Sequence, residues 1–184
     1  MDLLYADELP IEELNRDELL EEAMDRYGRA VLYMAYSYVK DHGLAEDIAQ
    51  EVFVKFYNKM ESFRGESSLK TYLMRITINQ CKDHLKRWDT RKVLFTNKLS
   101  EVLQERGNPE SKTIHGEERS ELHSKLLKLP VKYREVLFLH YYQELKVKEI
   151  AGVLELSTGT VKTRLKTGRD RLHRLYGERG RHDG

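Results

Sequence analysis

Apolar residues recur every three to four positions along most of this chain, and nowhere alternate with the period of two that marks a strand. The pattern predicts an all-α fold. A first helix is expected over about 17–39, with Leu20, Ala23, Met24, Tyr27, Val31, Met34, Ala35 and Tyr38 on one face. Asp41-His42-Gly43 breaks it, and a second helix over about 44–60 buries Ile48, Ala49, Val52, Phe53 and Phe56. The polar loop Phe63-Arg64-Gly65-Glu66-Ser67-Ser68 ends in good N-cap residues. A third helix follows to about Trp88, with Leu69, Tyr72, Leu73 and Ile76 toward the core. Residues 89–116 lose periodicity, contain Gly107, Asn108, Pro109 and Gly116, and read as a linker. Helices over 117–129 and 131–143 come next, separated by Pro130.

Residues 146–176 read as a short helix, a tight turn and a long basic helix, the layout of a helix-turn-helix that sets its second helix in a DNA major groove. Ile150, Ala151 and Leu154 form the inner face of the short helix, and Ser157 is placed to cap the long one. Val161, Leu165, Leu172 and Leu175 then point to the core, while Lys162, Thr163, Arg164, Lys166 and Arg169 occupy the other face. The turn position favours positive φ, yet holds Glu155, at a cost of roughly 1 kcal/mol. Taken alone, the segment also fits an amphipathic helix with a solvated basic face.

At 184 residues the chain has room for one large or two small domains, and its 34% charged and 40% hydrophobic residues mark it as soluble. No stretch approaches the ~20 apolar residues of a membrane span. The first thirty residues are acidic and lack the apolar run of a secretory signal, so a cytoplasmic location without membrane insertion is expected. Cys81 is the only cysteine, which excludes an internal disulfide and weighs against a cysteine-based zinc site.

The net charge of +1 hides a segregation. Residues 1–26 carry ten acidic and two basic side chains, residues 62–98 nine basic and three acidic, and residues 157–184 eight basic and three acidic. Two separate basic blocks imply two contacts with a polyanion. A nearly neutral total makes a poor free-standing DNA binder, because phosphate attraction is the main non-specific term. Something else is expected to bring the chain to DNA. No catalytic constellation is present: Asp47 and Glu51 have no histidine at ligand spacing, the seven histidines are scattered, and Gly159 and Gly168 lie inside a helix. Neither an enzymatic activity nor a metal or cofactor is expected.

Three motifs then carry a family resemblance. Ala45-Glu46-Asp47-Ile48-Ala49-Gln50-Glu51-Val52-Phe53, followed by Phe63-Arg64-Gly65-Glu66-Ser67-Ser68-Leu69-Lys70-Thr71-Tyr72-Leu73 and by Asn79 and Asp83, resembles region 2 of a bacterial sigma factor. Leu129-Pro130-x-x-Tyr133-Arg134-Glu135-Val136 with the helix-turn-helix resembles region 4. In that order over roughly residues 20–177, they resemble the extracytoplasmic-function group of the sigma-70 family. The resemblance implies two small helical domains: an acidic extension over 1–16, region 2 over 17–88, a linker over 89–116, region 4 over 117–178 and a tail over 179–184. It implies a non-catalytic initiation subunit that binds core RNA polymerase, directs transcription to promoters and assists DNA melting.

On the second helix, Asp47, Gln50, Glu51 and Val54 share a face by their spacing. The resemblance makes that face a dock for the clamp helices of the largest polymerase subunit; the residues alone also allow a merely solvated face. On the third helix, Thr71, Arg75, Asn79, Lys82 and Lys86 form a stripe of cations and amides suited to phosphates and base edges. The resemblance assigns Ser67, Ser68, Lys70, Arg75, Asn79, Lys82 and Lys86 to the single-stranded −10 element. Leu69 and Tyr72 stand where the family usually has Phe and Trp. It assigns Ser157, Thr160, Lys162, Thr163, Arg164, Lys166 and Arg169 to the duplex −35 element, and implies contact with the polymerase flap and regulation by an anti-sigma factor. Tyr133, Leu137, Leu139 and Tyr142 divide between core and flap surface, with Leu137 expected in the core. Loosely tethered domains would reach separate patches, since 28 linker residues extend to at most ~95 Å. Two other readings stay open on the residues: a free-standing DNA-binding regulator, and an interaction module whose basic faces dock an acidic partner.

Overall fold

The computed structural model describes residues 14–63, 67–95 and 117–177, which form helices and turns without a strand. Helix α1 (Arg16–Val39) starts at Asn15, whose side chain accepts the N–H groups of Asp17 and Glu18 while Glu18 returns a bond to the Asn15 N–H. This reciprocal cap fills two of the donors a helix start leaves open. Lys40 ends α1 in the left-handed region, φ 56°, and Asp41 at once caps α2 (His42–Lys59) by accepting Leu44 N–H at 2.8 Å. The break therefore sits at Lys40 and Asp41, and His42-Gly43 belongs to the first turn of α2. Met60–Ser62 closes α2 with one tighter turn.

Ser68 starts α3 (Leu69–Phe95), its hydroxyl accepting Thr71 N–H at 3.2 Å. This helix runs seven residues past the expected end at Trp88, because 89–95 contains no glycine or proline to stop it. Leu69, Leu73, Met74, Ile78 and Cys81 face Val31, Met34, Ile48, Val52 and Phe56 of α1 and α2 in a dry core. Two members of the expected α1 stripe are not enclosed in it: Leu20 packs against it only half-buried, and Met24 is 47% exposed.

The second module begins with α4 (Glu117–Lys128) and α5 (Val131–Leu137), turned apart at Pro130. The expected helix to residue 143 stops early: Phe138–Tyr142 widens into one π turn, with Gln143 N–H reaching Phe138 O. Leu139 stays buried there while Tyr141 and Tyr142 are about half-exposed. Arg134 is buried beneath α4 and donates to the carbonyls of Leu127 and Leu129; that burial lowers its pKa. Helix α6 (Val147–Leu154) then leads through Glu155, φ 56° and ψ 46°, into α7 (Thr158–Gly177). The left-handed turn expected at Glu155 is thus present. Ser157 caps α7 by accepting Thr160 N–H at 3.1 Å, and Ile150, Ala151, Leu154, Val161 and Leu165 are buried as their spacing predicts.

The modules are not held apart. Helix α1 packs on α5 and α3 on α6, so the two sets of buried side chains join in one cluster. The rest of the expected linker, residues 96–116, lies outside the described residues, as do 1–13, 64–66 and 178–184.

Candidate functional site

Three surfaces hold the residues singled out in the sequence. On α2, Asp47 and Gln50 are exposed and Val54 is 60% exposed, so three of the four expected partner-binding residues do face solvent. Glu51 differs. It turns toward α3, accepting hydrogen bonds from Gln80 and, at 3.1 Å, from His84, while Lys55 closes the network onto Gln80. The His84 bond, outweighing an opposing push from burial, holds the Glu51 carboxyl below the usual carboxylate range. Its first task is to brace α2 against α3, which the spacing of α2 by itself could not reveal.

Beside that face lies a feature the sequence reading missed. An open groove of about 640 Å³ runs between α1 and α2, lined by Leu20, Met24, Ala49, Phe53 and Val54 with Gln50 at its edge. The signal was present in Leu20 and Met24, assigned to the core because periodicity does not distinguish an apolar stripe that is covered from one that is not. Exposed apolar surface framed by polar side chains is the usual make-up of a protein-docking site.

On α3, Asn79, Lys82 and Lys86 are exposed or half-exposed along one stripe. Thr71, from the same stripe, is buried at 3% and bonded to Ser68, so it belongs to the cap rather than to a nucleic-acid face. Ser68 is likewise occupied by its cap, whereas Ser67 and Lys70 stand half-buried at the helix start. Arg75 departs furthest: it lies against α6, its Nη2 4.0 Å from where a Cβ at Gly152 would sit.

On α7, Lys162, Thr163, Lys166 and Arg169 are exposed, with Ser157 and Thr160 at the helix start. Thr163 donates back to the Gly159 carbonyl at 3.0 Å. Arg164 is drawn off this face into an ion pair with buried Glu135, at 2.8 Å. The helix start thus offers backbone N–H groups and cations suited to phosphates, with side chains able to enter a groove. Tyr133, placed between core and surface, is half-buried with Arg171 over its ring, and Leu137 is buried as expected. Among the described residues, no helix is long and apolar enough to cross a membrane, and no cluster of three His, Cys, Asp or Glu could hold a metal.

Comparison with known proteins agrees with this arrangement. Residues 23–91 match the Sigma-70 region 2 family and residues 119–172 match Sigma-70, region 4. The chain is 33% identical over 159 residues to the ECF RNA polymerase sigma factor SigW of Bacillus subtilis, covering 82% of this chain and 85% of that protein. It is 30% identical over 155 residues to the RNA polymerase sigma-H factor of Pseudomonas aeruginosa, covering 80% of each. The fold is that of the sigma factor RpoE in its co-crystal structure with the anti-sigma factor NepR from Bartonella quintana: TM-score 0.68, 23% identity, 85% of this chain and 96% of that one. CnrH, solved in complex with the cytosolic domain of CnrY, superimposes with a TM-score of 0.63 at 22% identity, over 91% of this chain and 93% of that one. With both regions present in order and a relative of this identity along most of its length, the chain belongs to the sigma-70 family of RNA polymerase sigma factors, in the extracytoplasmic-function group.

Proposed function

We propose that this sigma factor docks on core RNA polymerase through the α2 face of Asp47, Gln50 and Val54 and the apolar groove beside it. The single observation that carries the proposal is the exposed polar row flanking an open apolar groove on the region 2 module. Docked there, the α3 stripe with Ser67, Lys70, Asn79, Lys82 and Lys86 holds unstacked bases and phosphates of the −10 element. Lys162, Thr163, Lys166 and Arg169 on α7 engage the −35 duplex. Strand separation then requires only that the separated strand bind better than the duplex, and no catalytic group of this chain takes part. The protein works in the cytoplasm, where polymerase works. An anti-sigma factor is its expected regulator, since RpoE and CnrH were each solved with a bound partner.

Reconstitution tests the reading. Mixed with purified core polymerase, the protein should co-elute with it and start transcripts from a subset of a randomised promoter library. Lys162→Glu with Lys166→Glu should cut promoter use about a hundredfold or more, since each lost contact weakens binding and each new carboxylate repels phosphate. Failure to bind core polymerase would reject the proposal. Promoter use that survived the double substitution would remove α7 from DNA recognition.

A further inference from the structure

Gln80 on α3 is gripped by α2 at both ends of its amide. It follows Asn79 in the chain and lies about 100° round the helix from it, so that Asn79 faces solvent while Gln80 is 2% exposed. Its amide oxygen accepts from Lys55 and its amide nitrogen donates to Glu51, two residues one turn apart on α2. A buried amide left unfilled is costly, so the burial itself demands these bonds. Their polarity also fixes the amide. Reversed, it would set its NH2 group against an ammonium and its oxygen against a carboxylate. His84, one turn further along α3, meets the same Glu51 carboxylate at 3.1 Å.

The grip sets an angle. Apolar burial between α2 and α3 has no direction, whereas a hydrogen bond weakens steeply once bent. A rotation of α3 by about 15° carries a group ~6 Å from its axis through about 1.5 Å. Such a turn breaks the bonds at Gln80 and displaces Asn79 equally. A side chain that must meet a base edge tolerates only about 0.5 Å or 10–20° of misplacement. The network also joins two faces with different tasks. Glu51 belongs by spacing to the α2 row of Asp47, Gln50 and Val54, and Gln80 adjoins the α3 row of Asn79, Lys82 and Lys86.

We propose that Gln80 is a positioning residue: held between Lys55 and Glu51, it fixes the angle at which α3 presents Asn79 to the unstacked −10 strand once α2 is seated on polymerase. This rests on the function proposed above and adds a division of labour to it. Lys82 and Lys86 are flexible point charges that follow a phosphate through a shift of an ångström or more, so they supply affinity at any such angle. The short Asn79 amide has no comparable reach. Loss of the grip therefore erases base discrimination and spares binding to single strands in general. Glu51, grouped by spacing with polymerase-binding residues, serves −10 recognition from the side of α2 that meets α3.

Gln80→Met keeps the length of the side chain and removes both bonds. Holoenzyme assembled with each variant is titrated by fluorescence anisotropy with two single-stranded oligonucleotides. One carries the −10 sequence of a promoter selected from the randomised library, and the other is its scrambled counterpart. Gln80→Met should bind the selected strand about tenfold more weakly, with unchanged affinity for the scrambled strand, for core polymerase and for a −35 duplex. Lys55→Met, at an exposed position, removes one bond and should weaken the selected strand about threefold. Exchanging the partners, Glu51→Gln with Gln80→Glu, rebuilds the same donors and acceptors and should restore the discrimination that each single substitution loses. A role in helix stability alone would not follow the sequence of the strand. On an Asn79→Ala background, Gln80→Met should cause no further loss. Unaltered discrimination in Gln80→Met, no rescue by the exchange, or losses that add to those of Asn79→Ala would each overturn the positioning role. A wild-type holoenzyme without preference for the selected strand would instead refute the function proposed above, and the positioning role with it.

Discussion

A methyl group at Gly168 probes how close α7, and with it the DNA-facing row, is held to the rest of its module. A Cβ there would lie 3.1 Å from Leu137 Cδ1, 3.2 Å from Leu137 Cγ and 3.4 Å from Tyr133 Cβ. Relief of the backbone freedom of an interior helical glycine favours alanine by about 1 kcal/mol. Against this, the two shortest contacts are closer than the 3.5–4.0 Å optimum for carbon pairs. Leu137 is only 2% exposed, so the clash is met by displacing α7 from α5. Overpacking of this kind costs about 1–3 kcal/mol, and Gly168→Ala is expected to destabilise the module by up to about 2 kcal/mol. Leu137→Ala alone should cost about 2–5 kcal/mol, yet it removes the atoms that clash. On that background Gly168→Ala should become stabilising by about 1 kcal/mol, a reversal of sign. Native-state amide exchange along α7, read across the four members of the double-mutant cycle, measures both effects. Additivity of the two substitutions would show that the crossing is not set by this contact, and the reasoning from Gly168 would fail.

Two further outcomes follow from local chemistry. Glu51→Gln should lower stability at neutral pH, and the deficit should shrink as pH falls. The native carboxyl titrates below the usual carboxylate range, so its contribution is full above that range and is lost as pH drops through the depressed value. Urea unfolding of both proteins between pH 3 and 7 checks this, and a deficit constant with pH would refute it. Glu155→Gly should stabilise the helix-turn-helix by about 0.5–1 kcal/mol, because φ 56° strains any side chain by more than glycine adds to the unfolded chain's freedom. Thermal unfolding reads the change, and a lower melting temperature would argue against strain at the turn.

How much was legible beforehand depends on whether the information was local. Helical periodicity, the Ser157 cap, the left-handed Glu155 and the inward face of α6 are consequences of residues within one or two turns, and all were present in the sequence. Spacing also put Asp47, Gln50 and Val54 on one exposed face, and Lys162, Lys166 and Arg169 on another. Periodicity states which residues share a face, and it says nothing about what that face meets. Met24 therefore read as core although its stripe borders an open groove. Glu51 read as a docking group although Gln80 and His84, about thirty positions away, hold it.

The amino-acid order by itself determined the seven described helices in outline, the two modules, the basic faces and the family, because each arises from local pattern or from ordered motifs. Only the tertiary structure decided that α3 meets α6 and α1 meets α5, that Arg75 turns to α6, and that Arg164 leaves the α7 face to pair with Glu135 on α5. Tyr38 and Glu135 stand 97 positions apart. Their pairing depends on how two complete modules close on each other, which no periodicity within either module encodes.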